Sequence, residues 1–199
     1  MYRCLIANRG EIAVRIIRAC RELNIETVAI YAKGDETSLH VSLADQAICI
    51  GEANPLDSYL NIDRIISAAK VTESNAIHPG YGFLSESTNF AKAVEDNHIH
   101  FIGPSKTTME MMGDKITARQ TVKQAGVPVI PGSNDAVQSV DEIKLLAKEI
   151  GFPVVLKAAS GGGGKGIRIV KEASQLDQAL KEAKSEGQKY FNDDRVYVE

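Results

Sequence analysis

Two lysines and the glycine run between them are the residues of this sequence whose types and spacing best suit phosphate chemistry. Gly161 to Gly164 form an unbroken run of four glycines, and Lys157 and Lys165 stand on either side of it. Because glycine has no Cβ, such a loop can turn its backbone N–H groups toward one point and let a ligand approach closely. The two ammonium groups add positive charge, so the segment suits a triphosphate.

The flanks of the glycine run predict which kind of phosphate loop it is. Residues 154–156 form a β-branched and apolar run, and residues 166–170 alternate like a second strand. Rossmann and Walker loops lead from a strand into a helix, and a Walker motif needs Ser or Thr where this chain has Gly166. A match to G-x-G-x-x-G is trivial in so glycine-rich a run. We therefore predict a β-hairpin that folds over a nucleotide, with a disordered surface turn as the alternative.

The composition excludes several classes of protein. The chain has 199 residues, of which 44% are hydrophobic and 25% charged, as in soluble proteins with one or two cores. Its net charge of -3, with dispersed basic residues, gives no reason to expect nucleic acid or a membrane surface as a partner. No stretch approaches the length of a membrane span, so we expect a soluble, cytoplasmic protein. The cysteines Cys4, Cys20 and Cys49 have apolar neighbours, which predicts buried, reduced thiols, and no metal-ligand spacing joins cysteines and histidines.

Alternating strand and helix signals over the first hundred residues predict a parallel sheet covered by helices. The expected strands are 3–7, 27–32, 47–50, 76–77 and 100–102, and the expected helices are 11–23, 62–69 and 89–96. The helix 11–23 is the clearest, because apolar residues recur along one stripe, at Ile12, Ile16, Cys20 and Leu23. Arg15, Arg18 and Glu22 share another face. A solvated face with an Arg18–Glu22 pair is the interpretation that spacing favours, and a subunit contact is the alternative.

Two turns of this first half carry polar residues. Asn8-Arg9-Gly10-Glu11 occupies the first strand-to-helix turn, where a doubly wound fold usually places its ligand. Its single glycine and the charge of Glu11 oppose a phosphate there, so we do not expect a Rossmann cofactor. The segment HPGYGFLSE, residues 78–86, holds His, Tyr and Glu beside two glycines and a proline. Such a rigid turn is either a binding loop or a structural turn.

The second half of the chain has a different character. Helical segments after 103–105 lead to Gly113, where we place the domain boundary, and residues 126–132 form a punctuated linker. Ser139 and Glu142 form a capping box for a helix that ends at Gly151. Ser174 is expected to cap a further helix, and a strand is expected to begin at Arg195.

Several motifs follow one another along the chain, namely IANRGEIAVRIIRACRE, SYLNIDRII, HPGYGFLSE, FIGP, MGDK, AGVPVIPG and LKAASGGGGKGIRIV. Together they resemble the N-terminal part of biotin carboxylase, the ATP-grasp component of acetyl-CoA carboxylase and related biotin-dependent carboxylases. The resemblance covers essentially the whole chain. It implies an α/β fold in which a Rossmann-like parallel-sheet domain, 1–113, precedes the first, truncated part of an ATP-grasp domain with its lid subdomain, 114–199.

This resemblance implies an activity and its partners. Members of the family use ATP, with Mg²⁺ or Mn²⁺, to carboxylate biotin with bicarbonate through carboxyphosphate. The biotin is bound to a biotin carboxyl carrier protein, and carboxyltransferase subunits complete the acetyl-CoA carboxylase reaction of fatty acid synthesis. The alternatives are pyruvate carboxylase or another biotin-dependent carboxylase, another ATP-grasp ligase such as carbamoyl phosphate synthetase, and a non-catalytic dimerising module.

The resemblance also implies roles for residues near the nucleotide. Lys115 of MGDK and Lys157 match lysines that contact ATP phosphates, and Gly163 and Gly164 belong to the lid loop over those phosphates. Glu199 matches a residue at the adenine edge. Such lysines and amides would offset developing phosphoryl charge, and a closed lid would exclude water from carboxyphosphate.

Other roles follow with less detail. Tyr81 and Gly82 resemble the loop that faces biotin, and Arg15, Arg18 and Glu22 fall where bacterial members form a homodimer. Many relatives have arginine in place of Lys165. The residues that ligate metal, bind bicarbonate and act as base come after Glu199 in the family, so no catalytic or metal-binding residue is assigned here. We therefore expect the chain to be a truncated product that is inactive as a carboxylase by itself.

Overall fold

The computed structural model describes residues 2–160 and 166–199. The chain divides into two compact units, Met1–Met109 and Glu110–Glu199. No helix in these described ranges combines the length and the apolar character needed to cross a bilayer.

The first unit contains a five-stranded parallel sheet whose strands lie in the order β3-β2-β1-β4-β5. The strands are β1 (Arg3–Ile6), β2 (Glu26–Ala32), β3 (Gln46–Gly51), β4 (Ala76–His78) and β5 (His100–Phe101). The helices are α1 (Gly10–Glu22), α2 (Leu39–Leu43), α3 (Ile62–Val71) and α4 (Thr88–Asp96), and the next helix, α5, is Lys106–Gly113. The predicted α/β fold is confirmed.

Both faces of this sheet are buried under helices. Leu5, Val28 and Ile77 belong to the core cluster that also contains residues of α3 and α4, whereas Cys4 and Ile6 pack with residues of α1. Because successive residues of a strand point to opposite faces, β1 supplies both cores. Each fully buried aliphatic side chain contributes about 1.5–3 kcal/mol relative to exposure.

The sequence prediction was wrong at three places in this unit. The short helix α2 was not expected, because five residues give no helical period to detect. Cys4 and Cys20 are buried, but Cys49 is exposed because β3 is an edge strand whose side chains are only partly covered. Leu23 is exposed because α1 ends at Glu22.

The second unit contains a three-stranded antiparallel sheet in the order β7-β6-β8. Its strands are β6 (Val154–Ala158), β7 (Ile167–Val170) and β8 (Val196–Val198), and its helices are α6 (Lys115–Gln124), α7 (Val140–Ile150) and α8 (Leu176–Phe191). Val154 lies opposite Val170, and Lys157 lies opposite Ile167. The two strands that flank the glycine run therefore pair with each other, as the sequence predicted.

The starts of helices α7 and α8 show which of the capping residues predicted from the sequence are used. The Ser139 hydroxyl accepts a hydrogen bond from the Glu142 N–H, and the Glu142 carboxylate accepts one from the Gln138 N–H at 2.8 Å. The capping box is thus confirmed, with its glutamate reaching one residue further back than usual. The prediction for Ser174 is wrong, because a turn of 3₁₀ helix occupies Ala173–Gln175 and α8 begins at Leu176.

His40 is a buried titratable group of the first unit. Its side chain is 1% exposed, and Nε2 lies 3.2 Å from the carbonyl oxygen of Ile30. Nδ1 has no hydrogen-bond partner in the described part of the chain. Because a carbonyl only accepts, Nε2 carries the proton of the neutral ring and Nδ1 remains an unpaired acceptor. Burial lowers the pKa of His40 below its ordinary value of 6.5.

We predict that the first unit loses stability on acidification. Between the lowered pKa of His40 and 6.5 the unfolded state binds more protons, so the free energy of unfolding falls as the pH drops through this window. Above the window this contribution is fully present. One group gives a slope of at most ~1.4 kcal/mol per pH unit. Urea unfolding at a series of pH values measures the slope.

The variant His40→Gln isolates this group, because glutamine can still donate to Ile30 but does not titrate. We expect its slope to be smaller than that of the natural chain. Burial also lowers the pKa of His78, which accounts for a residual slope. An unchanged slope in the variant would contradict the prediction.

Candidate functional site

One face of the second unit's sheet packs against α8, and the opposite face is open on its β7 side. Val154, Leu156 and Val170 pack with residues of α8. Alternation along the strands and the antiparallel register place a different set of side chains on the opposite face. These residues are Val155, Lys157, Ile167, Ile169, Tyr197 and Glu199.

The β7 side of this face presents an open apolar strip. Ile167 is 41% exposed and Ile169 is 67% exposed, and the half-buried Val155 lies opposite Ile169. Adjacent β-branched side chains on a sheet form a flat apolar surface. The strip could therefore support a planar apolar ring beside the Lys157 ammonium.

Lys157 belongs to a three-residue charge cluster on the same face. Its Nζ forms an ion pair with Glu199 Oε2, and Glu199 Oε1 lies 3.1 Å from Arg119 Nη1. The Glu199 side chain is only 13% exposed. One carboxylate thus lies between two cations, and the cluster keeps a net positive charge that favours an anionic ligand.

Neighbouring side chains hold this cluster in place. The Lys157 ammonium lies 6.0 Å from the centroid of the Tyr197 ring, which packs against Ile116 of α6. Burial, with the charge of Glu199 nearby, raises the pKa of Tyr197 to about 12, so the ring stays neutral. Arg119 also donates to the carbonyl of Ile130, which ties α6 to the 126–132 segment.

Sequence reasoning missed Arg119, Val155, Ile167 and Tyr197. A signal for Arg119 was present, because it stands four residues after Lys115 and so shares a helix face with it. The structure places Lys115 at the first position of α6, after the N-cap Asp114, whose carboxylate accepts from the Thr117 N–H at 2.9 Å.

A second charge cluster connects the start of α6 with Ser160, the last described residue before the glycine run. Arg195 Nη2 lies 2.8 Å from Asp114 and 2.7 Å from Asp193, and the Ser160 hydroxyl donates to Asp193. The Arg195 guanidinium holds the pKa of Asp193 well below its usual range. Ser160 is thereby fixed to the loop before β8.

Separate contacts hold Gly166 and Arg168 to α8. The Gly166 N–H donates to Glu186 of α8 at 2.8 Å, and Arg168 forms ion pairs with Glu182 and Glu186. Gly163, Gly164 and Lys165 lie outside the described residues, so their predicted roles stay predictions.

The remaining predicted site residues lie in the first unit. Tyr81, at 59% exposed, and Gly82 stand at the tip of the 78–86 loop. Arg15, Arg18 and Glu22 are exposed on α1.

Within the described ranges no ion pair joins Arg18 to Glu22, so the predicted pair is absent there. In the same ranges, no group of three or more His, Cys, Asp or Glu side chains is arranged to hold a metal ion.

Family models match the two halves of the chain. The model for the N-terminal domain of biotin carboxylase matches residues 1–109. The model for the ATP binding domain of the carbamoyl-phosphate synthase L chain matches residues 114–199.

Similar proteins are much longer than this chain. Biotin carboxylase 1 of Bacillus subtilis is 52% identical over 197 residues, which are 99% of this chain and 44% of that protein. Pyruvate carboxylase of the same organism is 48% identical over 200 residues, which are 100% of this chain and 17% of that protein. The chain therefore spans less than half the length of the relatives it matches.

Two solved structures have a closely similar fold. A biotin carboxylase complex with β-γ-ATP from Campylobacter jejuni superposes with a TM-score of 0.92 at 48% identity, covering 99% of this chain and 44% of that one. The biotin carboxylase domain dimer of 2-oxoglutarate carboxylase from Hydrogenobacter thermophilus, in complex with MgADP, ADP and bicarbonate, has a TM-score of 0.88 at 49% identity. The match covers 99% of this chain and 43% of the chain in the 2-oxoglutarate carboxylase structure.

We predict that Arg195→Met loosens both structures that Arg195 joins. Loss of the guanidinium leaves Asp114 and Asp193 without their shared cation, at a cost of about 1 kcal/mol. Amide hydrogen exchange should become faster at Ser160 and in the first turn of α6. The matched control Arg15→Met removes an exposed arginine that makes no ion pair in the described ranges and should leave exchange there unchanged. Equal exchange rates in both variants would count against the bridging role.

Proposed function

This chain belongs to the biotin carboxylase family, and we propose that the protein containing it uses ATP and bicarbonate to carboxylate biotin. The observation that carries the proposal is the open apolar strip on the β7 side of the β7-β6-β8 sheet, which adjoins the Lys157 cluster. A nucleotide has two parts that complement these features, an apolar ring for the strip and an anionic phosphate chain for the positively charged cluster. The relatives' complexes with β-γ-ATP and MgADP support this assignment.

The base and the phosphates of ATP contact different residues in this proposal. The adenine ring lies on Val155 and Ile167, and its contact with the aliphatic surface excludes water. Lys157 and Lys115 contact the phosphates as point charges. The backbone N–H groups of Gly163 and Gly164 cover the phosphates, as the family resemblance implies.

Lys157 changes partners when the nucleotide binds. In the structure its ammonium is paired with Glu199, which is paired with Arg119 as well. When ATP binds, a phosphate oxygen replaces Glu199 as the partner of the Lys157 ammonium. Arg119 remains paired with Glu199 and still neutralises the charge of its carboxylate. No buried carboxylate is left unpaired by the exchange, which keeps its cost low.

The chemistry of the proposed reaction has two steps. A bicarbonate oxygen attacks the γ-phosphorus of ATP, and ADP leaves with the electron pair of the broken bond. The carboxyl group of the resulting carboxyphosphate is then transferred to a biotin nitrogen, phosphate leaves with the electron pair of the broken C–O bond, and this phosphate takes up the proton that the nitrogen loses. Lys157 and Lys115 offset the charge that develops on the phosphoryl oxygens. The described residues contain no cluster that fits a metal ion, so we assign the Mg²⁺ of the reaction to none of them.

We further propose a partner set and a cellular role. The biotin is attached to a biotin carboxyl carrier protein and is faced by Tyr81 and Gly82, and a second copy of the chain contacts Arg15, Arg18 and Glu22. The dimer of the 2-oxoglutarate carboxylase domain supports self-association. Carboxyltransferase subunits pass the carboxyl group to acetyl-CoA for cytoplasmic fatty acid synthesis. Pyruvate is the alternative acceptor, because pyruvate carboxylases are about as similar to this chain as biotin carboxylases are.

Another ATP-grasp ligase is the second candidate, because the model that matches residues 114–199 is named for carbamoyl-phosphate synthase. We expect the natural full-length protein to release ADP from ATP in the presence of bicarbonate, and free biotin to stimulate that release. Stimulation would support a biotin carboxylase. Release that is indifferent to biotin would contradict the proposal and favour the other ligase.

A lysine variant tests the nucleotide site itself. In the full-length protein, Lys157→Ala should lower kcat/KM for ATP by about 100-fold, because it removes a phosphate contact in a site with preorganised charges. Its Tm should change by no more than about 3 °C, since no core volume is lost.

Lys144→Ala is the matched control, because Lys144 is an exposed lysine of α7 paired only with Asp141 in the described ranges. It should keep the natural kcat/KM. If Lys157→Ala lost melting temperature in proportion to activity, the phosphate role of Lys157 would be wrong.

A further inference from the structure

The turn between β1 and α1 holds the backbone of the 78–86 loop through a buried amide. The side chain of Asn8 is 4% exposed, and its Nδ2 donates to the carbonyls of Pro79 and Tyr81, each at 2.8 Å. Its Oδ1 accepts from the Arg9 N–H at 2.9 Å. Both N–H bonds of the amide are therefore used on the loop, on either side of Gly80.

Arg9 contacts the same loop at the aromatic ring of Phe83. Its guanidinium lies 5.1 Å from the ring centroid of Tyr59 and 5.6 Å from that of Phe83. The two rings stack with centroids 5.2 Å apart and an interplanar angle of 6°. Asp35 accepts from the Tyr59 hydroxyl at 2.6 Å and from Arg9 at 3.3 Å, which orients the stack.

The loop has a backbone shape that needs such support. Gly80 and Gly82 have φ values of +65° and +67°, and the bulky Phe83 has a φ of +40°. A large residue in this region is strained and persists only when its surroundings determine its position. A Cβ at Gly80 would lie 2.8 Å from Asn8 Nδ2, so the loop and the amide are closely fitted.

We infer that Asn8 and Arg9 are positioning residues that preorganise the 78–86 loop and thereby present Tyr81 and Gly82 to the biotin ring. Asn8 holds the carbonyls of Pro79 and Tyr81 through hydrogen bonds. Arg9 and Tyr59 contact Phe83, which directly follows Gly82. This inference rests on the proposed function, which assigns biotin to the loop. It gives the Asn8-Arg9 turn a role that requires no phosphate there.

Asn8→Asp is the sharpest test, because it changes the shape of the side chain very little. A carboxylate would face the carbonyl oxygens of Pro79 and Tyr81 and has no hydrogen to donate to them. Asn97→Asp is the matched control. Asn97 also donates through Nδ2 to one carbonyl, that of Ala93, but at the C-terminal end of α4.

The experiment uses the natural full-length protein with free biotin as the probe. We expect Asn8→Asp to raise KM for biotin by about tenfold or more, because a small displacement of positioning groups is costly, and to leave KM for ATP unchanged. Hydrogen exchange of the peptide that spans 78–86 should become faster, while the rest of the first unit keeps its protection. Asn97→Asp should match the natural protein in all three measurements.

Some results would overturn the inference. The inference is wrong if Asn8→Asp leaves both the KM for biotin and the hydrogen exchange of residues 78–86 unchanged. It is also wrong if Asn8→Asp lowers the protection from exchange equally across the whole first unit. If Asn8→Asp does not fold, Arg9→Lys replaces it, because lysine keeps the charge but loses the planar stacking group. An unchanged KM for biotin in Arg9→Lys would then also overturn the inference.

The exchange measurement separates this inference from the proposed function. If the natural protein shows no response to biotin, the proposed function fails. Faster exchange of 78–86 in Asn8→Asp would even then support the positioning role of Asn8, and unchanged exchange would refute it.

Discussion

Alternation along strand β6 is the constraint on which the second unit depends. Val154 and Leu156 point into the core against α8, so Val155 and Lys157 must point to the opposite face. A slip of one residue in register would place the Lys157 ammonium in the apolar core and expose the core residues. The fold and the candidate nucleotide site therefore share one strand and cannot be changed independently.

The charges around β6 follow from the same geometry. Glu199 extends the pairing of β8 with β6, and its carboxylate lies between Lys157 and Arg119. Arg195, at the other end of β8, connects Asp193 with Asp114. Both clusters join α6 to β8 and the residues beside it, so α6 is held by ion pairs as well as by apolar packing.

The first unit uses the edge of a parallel sheet in a comparable way. Strands β1 and β4 are neighbours, and the Ala7 N–H donates to the carbonyl of His78 at 2.9 Å. The chain segments that follow these strands must leave the sheet at the same edge. This is why the Asn8-Arg9 turn meets the 78–86 loop, although 71 residues separate Asn8 from Pro79.

Local patterns in the sequence by themselves determined the order of the longer elements, the parallel sheet and the pairing of the two strands around the glycine run, and they made Lys157 a candidate site residue. Period, capping residues and glycine content act over a few residues and can be read directly. Only the tertiary structure decided that Lys157 pairs with Glu199, 42 residues away, and that Arg119 pairs with Glu199 across 80 residues. It also decided that Asn8 holds the 78–86 loop. Such partners depend on strand order and register, which arise from packing between distant segments and leave no local pattern.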